Sequence, residues 1–192
     1  MEGTLGSAAK KAEPLVTRAG VLSTVGIAVA YFFAARLSLA LLGPVDGVAV
    51  FWPAAGVASG ILIALGPAAR WHVVVAVMAA TIAANLMGDR NIWSSVFFAV
   101  ANVTDAVIIA GLVHRFCGSP FRLNELRSVL ALFAAIVAGA IVSGIAGTVG
   151  FVMFHGSAAS PPAIWLHWFA SDAIGNIAVA PLAIALASLV LR

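Results

Sequence analysis

Charged side chains are scarce in this sequence. Its 192 residues include ten Lys and Arg and seven Asp and Glu, so that 9% of the chain is charged, whereas soluble domains carry about 25%. This deficit excludes an ordinary soluble domain. Hydrophobic residues make up 63% of the chain and the mean hydropathy is +1.12. We therefore predict an all-α polytopic membrane protein, a transmembrane helical bundle that is embedded in a lipid bilayer.

Cysteine is nearly missing, and the common catalytic motifs of soluble enzymes are absent. Cys117 is the single cysteine, which excludes an internal disulfide. The sequence contains no P-loop, GxSxG, HExxH or Gly-rich dinucleotide motif, so we expect no enzymatic activity. Its four histidines do not provide a pair at matched membrane depth. We therefore expect no haem, no metal site and no other cofactor.

Basic residues exceed acidic ones, with a formal net charge of +3 and a pI near 9.8. They do not indicate nucleic-acid binding, because they stand mainly at the ends of apolar segments, where they set topology. With the N-terminus inside, most of the ten lie on the cytoplasmic side. Arg90 then falls outside and Arg36 lies within a span. The positive-inside rule thus predicts that both termini are cytoplasmic.

Long apolar segments are what the sequence has in abundance. About 20 residues cross the hydrocarbon core of a bilayer, and we predict six spans on this basis. Residues 1–19 are predicted to form a disordered cytoplasmic tail, and residues 20–192 one integral membrane domain. We expect Pro181 to kink or split the last span, because proline removes a backbone hydrogen bond. The predicted spans are Gly20–Leu42, Val48–Leu65, His72–Met87, Ile92–Val113, Ser128–Phe154 and Ala163–Leu191.

An acidic side chain, Asp172, lies near the middle of the last predicted span. Burying a carboxylate in hydrocarbon costs at least about 2.5–3.5 kcal/mol, so such a group usually faces the protein interior and has a partner. Arg36 lies at a similar depth in the first span, and we predict an Arg36–Asp172 ion pair with Asn102 and Asp105 of the fourth span nearby. The alternative is that the pair only holds helices together.

Several motifs, taken in order, resemble the bacterial membrane-associated sensor domain called MASE, in its first-described subtype. The resemblance covers about Tyr31–Leu182, and it depends on the order and spacing of the motifs rather than on any one of them. The motifs are YFFAA at Tyr31–Ala35, FWPAAG at Phe51–Gly56, ANVTDA at Ala101–Ala106, WxxWxxSDxxG at Trp165–Gly175 and APL at Ala180–Leu182.

This resemblance implies an integral-membrane sensory input module of bacterial signal transduction, located in the inner (cytoplasmic) membrane. Members are typically joined to histidine kinase, diguanylate cyclase (GGDEF) or phosphodiesterase (EAL) output domains. We expect the module to act on such a domain or partner, which is absent from this chain, and to take a small-molecule ligand at the outer side. From the residues and the resemblance together, the candidate ligand-binding or signalling residues are Arg36, Trp52, Asn102, Asp105, Trp168, Asp172 and Asn176.

Two other functions stay open. Six spans in under 200 residues also suit the substrate-binding membrane subunit of an energy-coupling-factor vitamin transporter. Alternatively, the chain is a membrane scaffold protein with purely structural charges. A homodimer is an open expectation, and no nucleic-acid partner is expected.

Overall fold

A computed structural model describes residues 18–42 and 47–190 of the chain. Most of the predicted tail over residues 1–19 lies outside this range, and the first helix begins at Arg18. The described residues form helices and no strands, which confirms the all-α class. The six α-helices are α1 (Arg18–Leu39), α2 (Pro53–Leu65), α3 (Arg70–Leu86), α4 (Ile92–Cys117), α5 (Leu126–Gly150) and α6 (Pro161–Val190). A 3-10 turn at Pro67–Ala69 precedes α3, and a π-helical turn at Phe151–His155 continues α5.

Five helical stretches in the described residues are long and apolar enough to cross a membrane. Helix α2 differs from them, because its 13 residues reach only about 20 Å. The span predicted at Val48–Leu65 is therefore corrected: residues 47–52 are not helical, and the helix begins at Pro53. The physical reason is local, since a proline disfavours helical geometry in the preceding residue, here Trp52, and is itself favoured in the first helical turn.

The helices alternate in direction through the bundle. Arg36 Nη1 donates to the carbonyl oxygen of Ala84 at 3.2 Å, which places the C-terminal ends of α1 and α3 together. Asn91, the residue before α4, donates from Nδ2 to the carbonyl oxygen of Phe154 at 2.6 Å, which brings the start of α4 to the end of α5. We call this the upper end of the bundle, and the opposite one the lower end.

Helix α2 completes the crossing that the extended segment 47–52 begins. Its last turn lies at the lower end, where His114 Nε2 of α4 is 3.0 Å from the carbonyl oxygen of Ile63. At its other end, the backbone N–H of Trp52 donates to the carbonyl oxygen of Ser171 in α6 at 3.3 Å. Extended backbone is tolerated at membrane depth only where it is enclosed by protein or lines a cavity, and this segment does line one.

Helices α2 and α6 pack backbone against backbone at the centre of the bundle. A Cβ atom added to Gly56 would lie 2.5 Å from the carbonyl oxygen of Gly175, and one added to Gly60 would lie 2.7 Å from that of Ala180. Small residues allow this approach, as in other membrane helix pairs. Helix α6 runs through Pro181 as one helix, so Pro181 does not split this span, and the kink stays a prediction.

Candidate ligand-binding cavity

A polar cavity lies in the upper half of the bundle, beside the extended segment 47–52. It holds about 360 Å³ of empty space, its open mouth included. Its wall is formed by α1, α3, α4, α6, the extended segment and the π-helical turn after α5. The lining residues are Leu39, Val48, Ala49, Trp52, Asn85, Arg90, Phe98, Asn102, Phe151, Trp168, Ser171 and Asp172. The cavity therefore combines a cation, a carboxyl group, two amides, a hydroxyl and four aromatic rings.

The carboxyl group of Asp172 is held in place from two helices. Its Oδ2 accepts a hydrogen bond from Ser143 Oγ of α5 at 2.7 Å and from Trp168 Nε1 at 2.9 Å. Trp168 stands one helical turn before Asp172 on α6, so the two side chains share a face. The indole fits because residue 147 is glycine: a Cβ atom there would lie 2.5 Å from Trp168 Cε2.

A second polar layer lies next to the Asp172 cluster and joins three helices. Asn176 Nδ2 donates to Asp105 Oδ2 of α4 at 2.8 Å and to the backbone oxygen of Asp172 at 3.0 Å. Ser59 Oγ of α2 donates to Asn176 Oδ1. Asp105 and Asn176 are fully buried and are not among the residues that line the cavity. Both connect α6 to its neighbours, a role that polar side chains often have in membrane bundles.

Arg90 closes the upper part of the cavity from the turn between α3 and α4. Its side chain is only 8% exposed, and Nη2 donates to the carbonyl oxygen of Gly47 at 2.7 Å. Its guanidinium carbon lies 5.1 Å from the ring centre of Phe98 and 5.2 Å from that of Phe151, within cation–π range. Burial lowers the pKa of Arg90 to about 10, so the group is still charged at neutral pH.

Two cavity side chains keep unused hydrogen-bonding capacity. Asn102 Nδ2 and Ser171 Oγ are buried and have no hydrogen-bond partner in the part of the chain that the structure describes. Each residue is 3% exposed and lines the cavity. An unmade buried hydrogen bond costs about 1–3 kcal/mol. These atoms therefore favour occupation of the cavity by a molecule that accepts a hydrogen bond from Asn102 and forms a hydrogen bond with Ser171.

The structure brings together most of the seven candidate residues that the sequence suggests, in two layers. Trp52, Asn102, Trp168 and Asp172 line the cavity, and Asp105 and Asn176 form the second layer. Arg36 is separate from both, because it donates to a backbone oxygen of α3. Their roles in ligand binding or signalling stay predictions.

The predicted Arg36–Asp172 ion pair is wrong for the described residues. The depth of the two side chains suggested it, but depth does not say which helices are neighbours. Helix α1 packs mainly against α3 and α2, and the centre of α6 packs against α2 and α5. Asp172 takes its partners from α5 and from its own helix instead.

Arg90 is the main residue of the cavity that sequence reasoning did not select. One signal was present: Arg90 is the basic residue that the predicted topology leaves on the outer side, against the positive-inside rule. Phe98, Phe151 and Ser171 were also missed. The π-helical turn that carries Phe151 has no sequence signature of its own, although such turns often occur at functional sites.

The fold and the cavity define a class: a multi-pass helical membrane protein with a polar site inside its bundle. The family model of MASE1, a membrane-associated sensor domain, matches residues 21–192. The chain therefore belongs to the MASE1 family, which confirms the resemblance seen in its motifs, and it is a membrane sensory module. No curated protein and no solved structure matches it. The vitamin-transporter alternative gains no support from the family.

Proposed function

We propose that this chain is the sensory input module of a bacterial signalling system in the cytoplasmic membrane, and that it receives its stimulus in the upper cavity. It passes the signal to a histidine kinase or to a domain that makes or degrades cyclic di-GMP. The observation that carries this proposal is the cavity itself, since it is lined by the buried charge of Arg90 and by Asn102 and Ser171, which each have an unpartnered hydrogen-bonding atom. Buried polar groups are mostly hydrogen-bonded, so these two atoms support a bound partner in the cavity.

Helix α6 connects the cavity with the lower end of the bundle. It carries Trp168, Ser171 and Asp172 in the cavity wall and then continues to Val190. Asp172 and Asn176 tie this helix to α5, α4 and α2. A ligand that donates a hydrogen bond to Asp172 therefore changes the packing of α6 against three neighbours, and the change reaches the lower end.

The predicted topology supports this direction of signalling. With both termini cytoplasmic, the upper end with Arg90 faces outside and the lower end faces the cytoplasm. The cavity then opens towards the periplasm. The end of α6 lies on the side where a kinase or a cyclic-di-GMP domain acts.

The proposal is tested with a chimera in which this chain precedes a GGDEF diguanylate cyclase domain. Asp172→Asn keeps the size of the side chain but weakens its hydrogen bonds to Ser143 and Trp168. We expect this variant to change cellular cyclic di-GMP at least about threefold, because a bias of under 1 kcal/mol between two states is sufficient for that. The control is Asp89→Asn, which removes an exposed carboxylate outside the cavity.

The amount of each chimera in the membrane is measured in the same cells. The proposal fails if the Asp172→Asn and Asp89→Asn chimeras both give wild-type cyclic di-GMP at equal membrane levels. A change with Asp172→Asn alone supports the cavity as the place where the stimulus is received.

A further inference from the structure

The charge of Arg90 has no counter-ion among the described residues. Its contacts are the carbonyl oxygen of Gly47 and the rings of Phe98 and Phe151, and burial is the cause of its lowered pKa. A buried charge is costly unless it is paired. A guanidinium at a cavity wall is suited to bind a carboxylate, because it presents several N–H donors in a fixed plane. Asn102 lines the same cavity one helical turn beyond Phe98 on α4, and its Nδ2 is an unpartnered donor there.

The opposite side of the same cavity prefers the opposite kind of group. Asp172 offers a carboxyl, and Ser171 Oγ next to it is unpartnered. No contact joins Asp172 to Arg90 in the described part of the chain: the ring of Phe98 contacts Arg90 and lies 5.1 Å from the ring of Trp168, whose Nε1 donates to Asp172. Trp52 and Trp168 supply indole rings, which attract cations.

We infer that the cavity binds a small zwitterion of the amino-acid class, with its carboxylate at Arg90 and its ammonium group at Asp172. This inference rests on the proposed function, in which the same cavity receives the stimulus. A simple anion would place an apolar end against Asp172, and a simple amine would leave Arg90 without a partner. Only a molecule with both groups satisfies the two sides of the cavity, and the aromatic wall between them accepts its methylene groups.

The test is thermal unfolding of the purified full chain in detergent, followed by tryptophan fluorescence. The probes are glycine, β-alanine, 4-aminobutanoate and 5-aminopentanoate, which separate the two charges by increasing distances. We expect at least one of them to raise the melting temperature by roughly 5 °C at a hundredfold excess over its Kd. Butanoate and butylamine, which each lack one of the two charges, are expected to give no such rise.

Variants of the protein then test which residue holds each end of the bound zwitterion. Arg90→Gln and Asp172→Asn should each remove the shift, whereas Asp89→Asn should keep it. Asp46 precedes Gly47 in the sequence and lies outside the described residues, so Asp46→Asn serves as a further control. We expect this variant to bind the probe as the wild type does.

Three results would overturn the inference. The first is the absence of a shift with every zwitterion on the wild-type protein, which does not depend on how any variant folds. The second is an equal shift with butanoate or butylamine, which would mean that one charge suffices. The third is binding in Asp46→Asn alone, which would show that the chain supplies the partner of Arg90 itself.

The two proposals fail in different ways. If Asp172→Asn changes the output of the GGDEF chimera but no zwitterion binds, the cavity receives the stimulus and the ligand class is wrong. If a zwitterion binds but Asp172→Asn leaves the output of the chimera unchanged, the ligand class holds and the sensory role of the cavity is wrong.

Discussion

Replacing Gly175 by alanine should separate α6 from the start of α2. The added Cβ atom would lie against the carbonyl oxygen of Trp52 and 2.5 Å from its carbonyl carbon, and 3.2 Å from the nitrogen of Pro53. These are backbone atoms and cannot rotate away. Ordinary contact begins near 3.4 Å, so the two backbones must move apart by roughly 1 Å.

Overpacking of this kind costs about 1–3 kcal/mol, and about 2–4 °C of melting temperature is lost per kcal/mol in a chain of this size. Alanine also has a helix propensity about 1 kcal/mol better than that of glycine, and this gain offsets part of the overpacking cost. Gly111→Ala measures that gain alone, because nothing lies within 4 Å of a Cβ atom there. The gain is common to both variants, so we expect Gly175→Ala to melt about 2–12 °C below Gly111→Ala.

The assay is thermal unfolding in detergent for the wild type and both variants, with Gly26→Ala as a second control that also has open space around its Cβ atom. If Gly175→Ala melts within about 1 °C of Gly111→Ala, the backbone-to-backbone packing of α2 on α6 is refuted. The same Trp52 backbone donates to Ser171 in the cavity wall, so we expect Gly175→Ala to disturb the cavity as well.

Three further predictions follow from the same contacts. Gly147→Ala should displace the indole of Trp168 and change the tryptophan emission maximum relative to Gly26→Ala, because the added Cβ atom would lie 2.5 Å from Cε2; an unchanged spectrum and melting temperature would contradict the packing. In a double-mutant cycle, the changes in the free energy of unfolding caused by Arg36→Leu and Asp172→Asn should add to within about 0.5 kcal/mol, since the two residues share no partner; a larger coupling energy would indicate that they do form an ion pair. Ser157→Cys should react with a membrane-impermeant maleimide in intact spheroplasts, whereas the native cysteine should react only after permeabilisation, and the reverse pattern would contradict the predicted topology.

Most of the architecture could be predicted from the sequence, because the signals for membrane helices are local. The length of an apolar segment and the charges at its ends decide whether it crosses a bilayer, and neither depends on the rest of the fold. The span at Val48–Leu65 shows where this reasoning stops. Hydropathy measures composition rather than conformation, and the effect of Pro53 on Trp52 decided that the start of this crossing is not helical.

The site could be predicted only in part, and the reason differs between its residues. The sequence by itself determined that Asp172, Trp168 and Asn176 share one face of a helix and that a buried carboxyl needs partners. Only the tertiary structure decided which partners these are, because neighbouring helices can be far apart in the chain. It also decided that Arg90, which the sequence shows only as a loop residue, packs against the neighbouring rings of Phe98 and Phe151 and brings a buried charge to the cavity.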